Sequence, residues 1–112
     1  MNRLFSYGTL RQPEVQISLF GRAVPTIDDA LPGFRIDSVK ITDPAVIARS
    51  GTDIHPILRR GTDAEVVPGA FLELTDTELH AADDYEVDDY KRFPVVLSSG
   101  LDAWVYIAAT ET

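Results

Sequence analysis

The tightest constraint on the fold lies where Gly69-Ala70-Phe71-Leu72-Glu73-Leu74 runs straight into Thr75-Asp76-Thr77-Glu78. The first stretch is apolar and β-friendly and predicts a strand. Thr75 then offers a hydroxyl at a helix N-cap, with the Glu78 carboxylate three residues on. In this capping box each side chain satisfies the other residue's free backbone amide, so strand gives way to helix without a loop. The helix is expected to run through about Glu86.

The chain elsewhere reads mostly as strands. Leu4, Phe5 and Tyr7 predict a strand over residues 2–7, stopped by Gly8. Thr9 to Pro13 read as a turn opening a short helix, with Pro13 suited to the first helical position and Gly21 ending it. Two strand-like pieces follow, Val24–Ile27 and Phe34–Ile41, parted by a turn at Leu31-Pro32-Gly33. Pro44, Gly51 and Pro56 interrupt residues 42–60, which read as a long irregular excursion. Phe93–Leu97 and Ala103–Ala108 predict a closing hairpin, joined through Ser98-Ser99-Gly100-Leu101-Asp102. The expectation is one α+β domain over residues 1–112, a common size for a single core.

Composition narrows the chemistry. There is no cysteine, which removes disulfides, thiolate nucleophiles and zinc–thiolate sites. The N-terminal residues lack the apolar stretch of a signal peptide, and no apolar run is long enough for a membrane span. A cytoplasmic protein without membrane partners is therefore expected. Ten Lys and Arg stand against 18 Asp and Glu, a net charge of -8 that repels phosphate backbones and argues against nucleic acid. Seven of the acids crowd between Asp76 and Asp89, mostly as solvated surface.

Within that run Glu86 stands out. Leu79, Ala82 and Glu86 fall at i, i+3 and i+7, on one helical face, whereas Asp83 and Asp84 are expected to point elsewhere. An inward carboxylate has its pKa raised by desolvation and acidic neighbours, which suits general acid–base work. The competing reading pairs Glu86 with Lys91 or Arg92. A second candidate is Tyr7-Gly8-Thr9-Leu10, where glycine admits close approach of a ligand to backbone amides able to hold an anion. An ordinary strand-ending turn is the alternative.

The other polar residues say less. His80 and Asp84, at i and i+4, supply two metal ligands without a third, so no metal is expected. His55 either approaches the pocket or is solvated. Trp104 and Tyr106 share one side of a strand, Trp104 for core packing and Tyr106 as a candidate cavity-lining residue.

The stretch Phe5-Ser6-Tyr7-Gly8-Thr9-Leu10-Arg11 resembles the N-terminal loop of the γ-glutamylcyclotransferase-like family. Val67–Leu74, then Ala82-Asp83-Asp84-Tyr85-Glu86 and Tyr90-Lys91-Arg92, resemble its second block, in the right order. Residues 22–60 are left uncovered, and Val87 stands where members often carry glycine. The resemblance implies a small mixed β-barrel flanked by helices. It further implies that Tyr7, Gly8, Thr9 and Leu10 bind a small-molecule γ-glutamyl substrate, with Glu86 as acid–base residue. The implied reaction is intramolecular aminolysis releasing 5-oxoproline, without cofactor or metal. The alternative is a non-catalytic module of the same fold that binds a small metabolite or a peptide.

Overall fold

The protein is described from a computed structural model covering residues 1–40, 44–50, 54–86 and 90–109. Strand β1 (Asn2–Ser6) leads through a 3₁₀ turn (Thr9–Arg11) into helix α1 (Pro13–Phe20). Then come β2 (Thr26–Pro32), β3 (Phe34–Lys40), α2 (Pro44–Ser50), β4 (Ile54–Arg60), β5 (Val66–Leu74), α3 (Asp76–Tyr85), β6 (Tyr90–Val96) and β7 (Asp102–Ala108). Five strands form one sheet in the order β2-β5-β1-β7-β6, and β3 pairs with β4 in a separate ribbon. β1 lies at the centre, antiparallel to β5 and parallel to β7.

Successive residues of a strand face opposite sides of the sheet, so a strand covered on both faces is apolar throughout. This is why Leu4 and Phe5, Phe71 and Leu72, and Val105 and Tyr106 are all buried. Phe5, Phe71 and Val105 pack with Phe34 and Leu58 of the ribbon. Leu4, Leu72 and Tyr106 pack on the other face with Leu79 and Ala82 of α3, and α1 lends Val15, Leu19 and Phe20. Gly69 allows the closest approach within the sheet. A Cβ there would stand 2.5 Å from the Ser6 carbonyl oxygen and 2.7 Å from the Phe5 ring.

The α+β architecture is as expected, but among the described residues the strands do not close into a barrel. β2 and β6 remain the two edges of an open sheet. The turn after β6 reaches β2, where the Ser98 amide donates to the Ala30 carbonyl at 2.9 Å and the Ser99 hydroxyl to the Asp29 carboxylate at 2.5 Å. A hairpin tip contributes isolated bonds, whereas closure needs a continuous ladder.

Two further expectations are corrected. Within the stretch expected to be an irregular excursion, 42–60, the described residues form α2 and β4. β4 accommodates Pro56 because its ladder runs to β3 alone, leaving the other side unpaired. The second strand is Thr26–Pro32 rather than Val24–Ile27; Leu31 and Pro32 end it, and Gly33, at φ 81°, makes the turn. α3 ends at Tyr85 with Glu86 as its extended C-cap, in line with the expected end at about Glu86. The capping box at the other end is as expected: the Thr75 amide donates to Glu78 Oε1 at 2.9 Å and the Glu78 amide to Thr75 Oγ1 at 3.2 Å. No helix among the described residues is long and apolar enough to cross a membrane.

Candidate active site

The loop after β1 is held from behind. Arg11 folds back so that Nε donates to the Gly8 carbonyl at 3.2 Å and Nη2 to the Tyr7 carbonyl at 3.1 Å. Gln16, only 1% exposed, donates from Nε2 to the Leu10 carbonyl at 3.0 Å and accepts the Val24 amide on Oε1 at 2.8 Å. The carbonyls of Tyr7, Gly8 and Leu10 are thus all engaged, and the Gly8 amide donates to Ser6 Oγ at 3.3 Å. A 3₁₀ turn offers its opening amides, here those of Thr9 and Leu10, no acceptor within the turn. A Cβ on Gly8 would meet nothing within 4 Å, so the space beside this loop is open.

Facing the loop is the C-terminal end of α3. Leu79 and Ala82 are buried as their spacing predicts. The half-buried Glu86 follows them, its amide still donating to the Ala82 carbonyl at 3.2 Å. Asp83 does not point away. Its Oδ1 accepts the Tyr106 hydroxyl at 2.8 Å and Arg92 Nε at 2.9 Å, while Oδ2 accepts Arg92 Nη2 at 3.1 Å. The Arg92 guanidinium also lies over the Trp104 ring at 4.5 Å. The expected alternative partner of Glu86, Arg92, is therefore committed to Asp83, three residues earlier on the helix.

Two tyrosines connect loop and helix. The Tyr7 hydroxyl donates to the Tyr106 carbonyl at 2.9 Å. Burial pushes its pKa up, as do Tyr90 and the negative charge of Glu86, against a hydrogen bond from the Leu58 backbone. Tyr106 is also pushed up, first by burial and by its bond to Asp83, then by the charges of Asp83 and Glu86, with Arg92 opposing. The Glu86 carboxylate thus acts on both phenols, and both stay neutral hydrogen-bond donors well above neutral pH. Thr9 Oγ1 meets the Tyr85 hydroxyl at 3.3 Å, tying the loop to the residue just before Glu86. β4 borders the group, since the Tyr90 hydroxyl donates to the Pro56 carbonyl at 2.6 Å.

The structure therefore brings Tyr7, Thr9, Glu86 and Tyr106 into one neighbourhood. Gly8 and Leu10 belong to it through their backbone, because the Leu10 side chain is buried in the core. His55 lies on β4 opposite Val39, but its side chain is outside the described residues, as is Val87. His80 and Asp84 are exposed on α3. Trp104 is half-buried against the α3-side cluster. Sequence reasoning missed Asp83, Arg92, Tyr85, Gln16 and Arg11. The i, i+3 spacing of Asp83 and Glu86 was a usable signal for the first. A separate groove of about 200 Å³, lined by Met1, Arg22, Val24, Pro25, Ile27 and Glu73, lies toward the other end of α3.

Comparison with known proteins bears on the family and the fold. A family model described as gamma-glutamyl cyclotransferase, AIG2-like, matches residues 4–112. No curated protein matches this chain in sequence. A protein of Arabidopsis thaliana solved in solution superposes with a TM-score of 0.76 at 22% identity, covering 98% of this chain. This chain spans 63% of that one, less than two thirds of its length. A structure titled gamma-glutamyl cyclotransferase superposes at 0.72 with 13% identity, over 96% of this chain and 66% of the other. An uncharacterized protein of Pyrococcus horikoshii gives 0.63 at 15%, over 96% and 78%. At these identities the three structures show a shared fold.

Proposed function

Because this chain belongs to the gamma-glutamyl cyclotransferase, AIG2-like family, we propose that it releases 5-oxoproline from a γ-glutamyl amino acid or γ-glutamylamine. The α-amine of the γ-glutamyl group attacks its own γ-carbonyl carbon, closing the five-membered ring. The bond from that carbon to the leaving nitrogen then breaks. Glu86 takes a proton from the attacking ammonium and returns it to the departing nitrogen, which also gains the second proton given up by the ring nitrogen and leaves as an ammonium, so the carboxylate is regenerated. The Thr9 and Leu10 amides hold the substrate carboxylate or the developing oxyanion. Tyr7 and Tyr106, kept neutral, shape the wall opposite.

The observation that carries this reading is the open space beside Gly8 next to the end of α3, where Thr9 Oγ1 meets the Tyr85 hydroxyl one residue before Glu86; the upward push of the Glu86 charge on Tyr7 and Tyr106 is in keeping with it. The commitment of Arg92 to Asp83 supports it too, since a closed Arg92–Glu86 pair would favour a non-catalytic binding module. Tethering makes the attack unimolecular, so positioning supplies much of the rate, and the general base adds about 10²–10⁴-fold. A screen of γ-glutamyl dipeptides and γ-glutamylamines, read by 5-oxoproline formed, tests the proposal. Turnover of one class supports it. Saturable binding of such compounds with no 5-oxoproline from any of them supports the binding module instead.

A further inference from the structure

The two edges of the sheet are not equivalent. β6 carries Pro94, which offers no amide to a neighbouring strand. β2 is open over one short stretch, and its hydrogen bonds show where. In an antiparallel ladder every second residue of an edge strand turns its amide and carbonyl away from the sheet. Ala30 is one of these. Its carbonyl takes the Ser98 amide at 2.9 Å, its amide goes to the Asp29 carboxylate at 2.8 Å, and opposite it on β5 stands Pro68, with no amide to give. The same alternation turns Asp28 and Thr26 outward, and among the described residues nothing bonds their outward amides and carbonyls. Two positions before Thr26, the Val24 amide is taken by Gln16 Oε1 at 2.8 Å. The open edge is therefore Thr26 and Asp28, closed off at Val24 and at Ala30. Ile27, between them, is 48% exposed and lines the groove of about 200 Å³ together with Met1.

We propose that this edge is a self-pairing surface, on which a second copy of the chain lays its own β2 antiparallel about a two-fold axis at Ile27. In that register Thr26 lies opposite Asp28 of the second copy, and Asp28 opposite its Thr26. Each pair exchanges two N–H···O bonds, so every open backbone group is satisfied at once. The next outward pair is Ala30 against Val24, both already engaged, so the ladder stops where each copy stops it. Shifting the axis by one residue fails. Centred on Thr26, Asp28 meets the engaged Val24 amide; centred on Asp28, two carboxylates stand face to face and Thr26 meets the engaged Ala30. Centred on Ile27, no like charges are directly opposed. The two Ile27 side chains then form the close, non-hydrogen-bonded pair, with Cα atoms about 4.5 Å apart, and join the two grooves into one apolar strip. Such an isologous contact closes on itself. It is small, and each copy carries a net charge of -8, so the pairing is weak and strengthens as salt screens the repulsion.

The chain has no cysteine, which permits a direct test. Ile27→Cys sets one thiol per copy at the axis, within disulfide reach of its mate. Val96→Cys is the control, since Val96 is 55% exposed on the other edge strand. Under oxidised glutathione, Ile27→Cys should give covalent dimer about tenfold faster than Val96→Cys, the advantage of a pre-formed encounter. The reversible dimer is read from NMR diffusion of the unaltered protein up to about 1 mM, at low salt and at about 1 M sodium chloride. Its fraction should rise with concentration and with salt. Asp28→Pro removes an outward amide without touching the ladder to β5, and Ile27→Lys brings two ammonium groups to the axis. Each should lose the dimer, whereas Asp28→Asn, which keeps the backbone and drops the charge, should strengthen it. Should Asp28→Pro not fold, Ile27→Lys decides alone, because its site is half-exposed. A protein monomeric under all these conditions overturns the proposal, leaving the edge to solvent or to an extended segment of another protein. Equal crosslinking of the two cysteine variants, or a dimer that survives Ile27→Lys, overturns it as well.

Discussion

The two ends of α3 carry the same chemical device and use it differently. At the N-terminal end Glu78 takes Arg22 on both oxygens, at 2.7 and 2.9 Å, while also closing the capping box with Thr75. At the C-terminal end Asp83 takes Arg92 on both oxygens, at 2.9 and 3.1 Å, and adds the Tyr106 hydroxyl. At the first end the fork ties the start of the helix to the connection between α1 and β2. At the second, the fork holds Asp83, and Glu86, three positions on, caps the helix with its charge felt by the Tyr7 and Tyr106 phenols. A salt bridge says little about function by itself.

Glu86→Gln should show the largest effect of any single change. Glutamine keeps size and hydrogen-bonding reach but cannot take the ammonium proton, so turnover should fall about 10²–10⁴-fold, roughly 3–5 kcal/mol of barrier. Steady-state 5-oxoproline assays measure it, and a variant within threefold of wild type would remove Glu86 from the chemistry. Its counterpart is Glu78→Ala, which strips the capping box and the Arg22 fork together. The expected cost is about 1–3 kcal/mol of stability by denaturant melts, with kcat on the remaining folded protein unaltered.

The ends should also differ in acid. The Arg22 guanidinium beside it, helped by the Thr75 amide, holds the Glu78 carboxyl at about 2, below its ordinary 4.5. A carboxyl depressed in the folded state contributes stability fully present above the unfolded value and lost as pH falls through the folded one. Stability should therefore decline between about pH 4.5 and 2, and the decline should be shallower in Glu78→Gln. Equal slopes for the two proteins would mean that Arg22 does not hold Glu78 in solution.

The smallest change probes the loop. Gly8→Ala puts a methyl into space where the protein itself offers no contact within 4 Å, so folding should be unperturbed. A ligand resting against the backbone would feel it, with KM rising about 3–10-fold, a binding loss within 1.4 kcal/mol. An unchanged KM would move the ligand away from the loop.

What was legible in the sequence follows the range of the interactions. The capping box could be read because Thr75 and Glu78 satisfy each other within one turn. The inward face of α3 could be read from Leu79 and Ala82, whose spacing carries the period. Asp83 was misjudged because its partners are Arg92, on strand β6, and Tyr106, 23 positions on. Glu78 reaching Arg22, 56 positions back, was equally invisible. β4 was missed for a related reason. Pro56 reads as an interruption until β3 is seen to supply the ladder on one side only. The β-rich pattern suggested closure, but whether a sheet closes depends on the stagger of all its strands, and here a hairpin tip meets β2 instead.

The division of labour along α3 can be tested in one paired experiment, with Glu86→Gln and Glu78→Ala each assayed for 5-oxoproline release and melted in parallel with the wild type. The account predicts a crossed result. Glu86→Gln should melt with the wild type, within the few tenths of a kcal/mol expected of a half-exposed site, and be nearly inactive. Glu78→Ala should melt earlier and, below its transition, turn over substrate at the wild-type rate. A fully active, destabilised Glu86→Gln would contradict the account, because Glu86 would then be an anchor like Glu78 and the two ends of the helix would do the same work.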